Sequence, residues 1–126
     1  MIIGGVPGSV QAPRTLILGR YEHRRRRLRV VARSTRCPLR RGASWPGLLA
    51  PAGDEHPWPQ PLPAGWAGGL TGAQEPIWYT RVLPELAAET AVDAAVEHGR
   101  WRHAVQYLRL RSDLAARDVP QGLDIE

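Results

Sequence analysis

Lysine is missing from this chain: all 17 residues in the combined Lys and Arg count are arginines. A lysine nucleophile or a lysyl Schiff base is therefore excluded as this chain's own chemistry. Phenylalanine is missing as well, so the bulky apolar side chains of a core must come from Leu, Ile, Val and the 5 Trp. Cysteine is limited to Cys37, which rules out an internal disulfide and a cysteine-rich zinc site. Cys37 precedes Pro38 and has no helix-start signal beside it, so it reads as a structural residue. No run of about 18 apolar residues occurs, so no membrane-spanning helix is expected. The opening MIIGGVPGSV lacks the basic stretch and long apolar stretch of a secretory signal. A reducing cytoplasm fits these features.

What is present is basic and rich in turn formers. The length of 126 residues predicts a single domain that can bury a sizeable core. The net charge of +5 and pI near 10.6 favour an anionic partner, nucleic acid first. Arg in place of Lys, with abundant Ala, Gly and Pro, also matches the coding bias of a GC-rich genome.

Along the chain, residues 1–14 read as a Gly- and Pro-rich leading segment with a short extended piece at Ile2 and Ile3. Residues 15–21 (TLILGRY) suit a strand with a bulge or close backbone approach at Gly19. Residues 28–34 alternate, placing Leu28, Val30 and Ala32 on one side and Arg29, Val31 and Arg33 on the other. The polar stretch EHRRRR between them completes a hairpin over 15–34 with a basic tip. A short helix is possible near 47–51. Residues 53–76 form a long Pro/Gly-rich connection, with Trp58 and Trp66 as candidate clamps. IWYTRVL at 77–83 reads as a strand. Over 85–98, helix propensity, a leading Pro84 and a closing Gly99 favour a helix. Residues 104–111 alternate as a strand, with Leu108 and Leu110 on one side and Tyr107, Arg109 and Arg111 on the other. Several short strands without a βαβ pattern suggest a small barrel or sandwich.

Two clusters carry candidate chemistry. Arg24, Arg25, Arg26 and Arg27 follow one another, flanked by Arg20, Arg29 and Arg33. The guanidinium fork suits phosphate, so this set is the candidate DNA-binding surface, against the plainer reading of a solvated loop. The second cluster lies in GRWRHAVQYLRLRSDL, residues 99–114. Arg109 and Arg111 lie about 7 Å apart on one strand face, and Asp113 follows at the same parity. Such a face can hold a polyphosphate or simply guard an edge strand. His23, His56, His98 and His103 lack metal-ligand spacing, and neither Gly-rich stretch matches a nucleotide loop. Tryptophans at 45, 58, 66, 78 and 101 can stack on bases, although core filling and loop clamping are their commoner uses.

TLILGRYEHRRRRLRVVARST, HPWP, GW, VLPELAAETAVD, GRWRHAVQYLRLRSDL and DVP occur in that order. The ordered set, over about residues 4–120, resembles the carboxy-terminal part of an actinobacterial-type ATP-dependent DNA ligase. The resemblance implies a mainly β fold: a five-stranded Greek-key OB-fold barrel with a long Pro/Gly-rich insert and a short helix. Its expected extent is 15–114, followed by a polar tail at 115–126. It also turns 85–92 into a strand, with a turn or short helix at 93–98. In the family a motif resembling RxDK orients the departing pyrophosphate; here Arg111 and Asp113 match it, and Leu114 stands where the family has Lys. The lysine of the family's KxDG motif forms the adenylate, and this chain has none.

The expectation is thus a DNA-binding OB domain of an ATP-dependent DNA ligase that cannot adenylate itself. The resemblance implies ATP and Mg2+ for the full ligase, with neither bound by this chain alone. Expected partners are duplex or nicked DNA and a separate nucleotidyltransferase domain or chain. The alternatives are a free-standing basic OB-fold module that binds single strands or RNA, and a non-functional ligase gene fragment.

Overall fold

The computed structural model describes residues 1–8, 13–22, 27–36, 49–53, 56–63, 76–91, 96–97, 100–101 and 105–111. These residues form a mainly antiparallel β structure, with no helix among them. The strands are β1 (Ile2–Val6), β2 (Ile17–Tyr21), β3 (Leu28–Arg33), β4 (Thr80–Arg81), β5 (Ala87–Ala91), β6 (Val96–Glu97), β7 (Arg100–Trp101) and β8 (Gln106–Arg111). Six of them make one sheet in the order β3-β2-β1-β5-β8, with β4 also paired to β1; β6 and β7 pair separately.

The leading segment supplies the central strand. Every residue from Met1 to Val6 is buried, and β1 pairs with β2 on one side and with β4 and β5 on the other. The two outer strands are also tied together. Ser34 and Val105 form a parallel bridge, with Val105 N–H donating to Arg33 O at 2.8 Å and Thr35 N–H donating to Val105 O at 2.8 Å. The Ser34 hydroxyl meanwhile accepts from the Leu16 N–H at 2.8 Å, fixing the corner where β3 ends.

Both faces of the sheet are buried. Ile3, Leu18, Val31, Ala32, Val82 and Val105 belong to one apolar cluster. Ile2, Ile17, Leu28, Val30, Trp58 and Tyr79 belong to the other. Neighbours along a strand point to opposite faces, so Ile2 and Ile3 divide between the two clusters. Residues 56–62 and 77–79 cover the second face, with Leu62 bridging Ile77.

Three departures from strict alternation decide which side chains go where. The β1–β2 register shifts between Ile3 and Gly5, the β2–β3 register between Leu18 and Gly19, and the β5–β8 register between Glu89 and Thr90. In β3 the partners skip Val31, so Ala32 joins Val31 in the first cluster rather than Leu28 and Val30 in the second. In β8 they skip Leu108, so Tyr107 packs with Leu110 against the first cluster while Leu108 is 43% exposed. An inserted residue reverses the inward and outward sense of everything beyond it, and alternation alone does not reveal it.

The helix favoured over 85–98 by local propensity is a strand at Ala87–Ala91. Pairing with both β1 and β8 outweighs the intrinsic preference, which is a weak prior. The strand expected at 85–92 therefore forms over its central part, and Val96–Glu97 is strand rather than the turn or short helix expected at 93–98. The short helix considered at 47–51 is absent from Leu49 onward, where Pro51 bridges Val82. Residues 92–95 and 112–126 lie outside the described set.

Candidate nucleic-acid interface

The β2–β3 hairpin positions part of the arginine set. The Glu22 N–H donates to Arg27 O at 3.0 Å and closes the hairpin where the four-arginine run ends. Arg27 is exposed, and Arg29 and Arg33 are half-buried on β3. Arg20 lies directly across from Arg29 but is only 7% exposed, so it offers a ligand little surface. Arg24, Arg25 and Arg26 fall outside the described residues.

A second cationic group forms on β5 and β8. Arg109 Nε lies 3.0 Å from Glu89 Oε2, and an Arg111 terminal nitrogen lies 3.1 Å from Glu89 Oε1. One carboxylate thus spans two arginines, and Glu89 sits directly opposite Arg109 in the register. The Arg109 side chain is 62% exposed, so its own pair with Glu89 contributes at most about 1 kcal/mol. The result is a pair of guanidinium groups positioned by one carboxylate. The carboxylate that the sequence places at the parity of Arg109 and Arg111 is Asp113, which lies outside the described residues; Glu89, on another strand, carries no such signal. By propensity its segment favours a helix, and only the strand register sets it across from Arg109.

Between the loop end of the hairpin and the segments that begin at Ala52 and Leu83 lies an open cleft of about 550 Å3. Tyr21, Arg27, Leu28, His56, Pro57 and Leu83 contribute to its walls. Behind it, Trp58 is buried and its indole N–H donates to Leu28 O at 3.1 Å. The Trp58 backbone N–H donates to His56 Nδ1 at 3.3 Å, which holds the imidazole in its neutral form. Burial, and then the nearby Arg81 guanidinium, lower the His56 pKa below its usual 6.5, while the Gly4 and Val82 carbonyls act in the opposite direction. The Tyr79 hydroxyl donates to Pro59 O, and burial raises its pKa to about 12.

Trp58 is therefore a clamp. Trp78, in contrast, is 72% exposed. Trp45 and Trp66 lie outside the described residues, as do His23, His98 and His103. Among the described residues, no three His, Cys, Asp or Glu side chains converge as metal ligands. No described helix is long and apolar enough to cross a membrane. Comparisons with protein-family models, curated proteins and solved structures find no match for this chain.

Proposed function

We propose that the chain is an OB-fold barrel that binds DNA, the DNA-clamping domain of an ATP-dependent DNA ligase. The observation that carries the reading is the strand circuit. β1, β2 and β3 form a meander, β5 returns beside β1, β8 lies beside β5, and the parallel Ser34–Val105 bridge joins β8 back to β3. A five-stranded Greek-key barrel has this connectivity. The ordered ligase-like motifs and the arginines of β3 and β8 support the DNA-binding part.

The reading assigns DNA to particular surfaces. Many OB-folds bind oligonucleotides across the second and third strands. Here the Trp58 segment covers the outer face of those strands. Phosphates are therefore assigned to the hairpin arginines and to Arg109 and Arg111. For the implied ATP and Mg2+, the described residues offer arginines but no converging carboxylates, and no lysine exists to carry an adenylate. No adenylation step is assigned to this chain, and catalysis requires a separate nucleotidyltransferase domain or chain.

Titration of labelled nicked duplex at several salt concentrations tests the reading. With three or four phosphate contacts, log K falls against log salt with a slope of about −3. Replacing Arg24, Arg25, Arg26 and Arg27 together by Ser weakens binding and flattens that slope. Unchanged affinity, or a flat salt response in the parent chain, overturns the proposal. The exposed Trp78 supports a second reading, a free-standing module for single strands. In that case single strands compete better than nicked duplex.

A further inference from the structure

Apart from Arg27, the residues of the cleft beside the hairpin have no role in the reading above. The cleft's volume of about 550 Å3 lies within the range of small-ligand sites, about 300–1,000 Å3. Its walls combine three kinds of surface. Tyr21 is half-buried, packs against the second apolar cluster and is one of the residues that line the cleft. Leu28, Pro57 and Leu83 are apolar, and Leu83 is exposed at the surface. Arg27 supplies a cation, His56 accepts the Trp58 N–H, and none of the described lining residues carries a carboxylate.

A concave site with one aromatic wall, apolar sides and one cation matches a planar ring joined to an anion. In a duplex the bases are stacked and paired, so their faces are not available to such a wall. An unpaired nucleotide presents both an open base face and a phosphate. We infer that this cleft takes one unpaired nucleotide, with its base against Tyr21 and its phosphate on Arg27. The inference rests on the nucleic-acid reading above. It adds a place where a nucleotide leaves the duplex, at the end of the hairpin's arginine contacts and sharing Arg27 with them. Arg27 is also the last residue of the four-arginine run, so the adjoining phosphates continue toward a cationic stretch of chain.

The test uses anisotropy titrations of the full chain with a thymidylate oligomer of about eight residues and with a blunt duplex. Tyr21→Leu keeps an apolar side chain against the cluster but removes the aromatic face. Leu83→Glu places a negative charge at the exposed rim. Circular dichroism checks that both variants fold. Each variant is expected to bind the oligomer about tenfold more weakly, with duplex affinity changed less than about twofold. Thymidine monophosphate, added as competitor, separates a free nucleotide from a nucleotide within a strand. Competition that is lost in both variants supports the cleft with the free nucleotide as its source. Loss of oligomer binding without such competition supports the strand. If folded variants bind the oligomer as the parent does, the cleft inference is overturned while DNA binding stands. If the parent binds neither DNA, both readings are overturned.

Discussion

At the scale of single residues, the glycines of β1 and β2 are a seat for one indole. A Cβ built on Gly4 would collide with Trp58 Cη2, and one on Gly19 would lie 2.7 Å from Trp58 Cζ2. Neither fits without displacing Trp58, whose indole N–H is fixed on Leu28 O. Gly4→Ala is expected to destabilise the fold by about 1–3 kcal/mol, read from urea unfolding. In a Trp58→Leu background the same change should cost at least about 1 kcal/mol less, because the steric partner is smaller. Gly19→Ala should be rescued less completely, since its Cβ also meets Arg29 O at 2.8 Å. The close approach at Gly19 is legible in the sequence, where a glycine interrupts an apolar strand. The role of Gly4 is not, because a glycine in a Gly- and Pro-rich leader looks like a turn.

Among the elements, β8 shows how one inserted residue changes a surface. Strict alternation buries Leu108 and exposes Tyr107, whereas the bulge at Leu108 does the reverse. Tyr107→Ala should therefore cost about 1–3 kcal/mol, less than a fully buried aromatic because Tyr107 is only half-buried. Leu108→Lys should stay within about 0.5 kcal/mol of the parent. Chemical denaturation of the two variants checks the pair, and the opposite ranking would restore simple alternation. Arg109 and Arg111, both on one side of the bulge, share the face expected from the sequence and are joined there by Glu89, whereas Tyr107, across the bulge, leaves it.

For the whole molecule, the covering segment ties stability to pH. The lowered His56 pKa means that the folded protein resists a proton that the unfolded chain accepts near its ordinary value of 6.5. The unfolded state then binds more protons, so stability is lost as pH falls from about 6.5 through the folded value. Protonation also removes the lone pair that accepts the Trp58 N–H. Tyr79 acts at the other end. Its folded pKa of about 12 exceeds the ordinary 10.0, so its contribution is lost as pH rises from 10.0 towards 12. The urea midpoint should therefore fall between about pH 7.5 and pH 5, and His56→Gln should reduce that fall. A variant whose pH dependence matches the parent would show that other groups set the acid limit.

Composition and local pattern set the chemical limits and part of the strand set. Without Lys there is no lysyl-adenylate, and with arginine as its dominant charge the chain favours anions. The hairpin of β2 and β3 and the strand at β8 follow from local apolar pattern, which depends on neighbours a few residues away. Tertiary structure decided what depends on distant partners. Ala87–Ala91 is a strand because β1 and β8 flank it, although its residues favour a helix. Ile2–Val6 is the central strand because residues far along the chain pair with it. The bulges, the seat for Trp58 and the Glu89 link between two arginines arise from register. Register is a relation between strands, and no single stretch of sequence contains it.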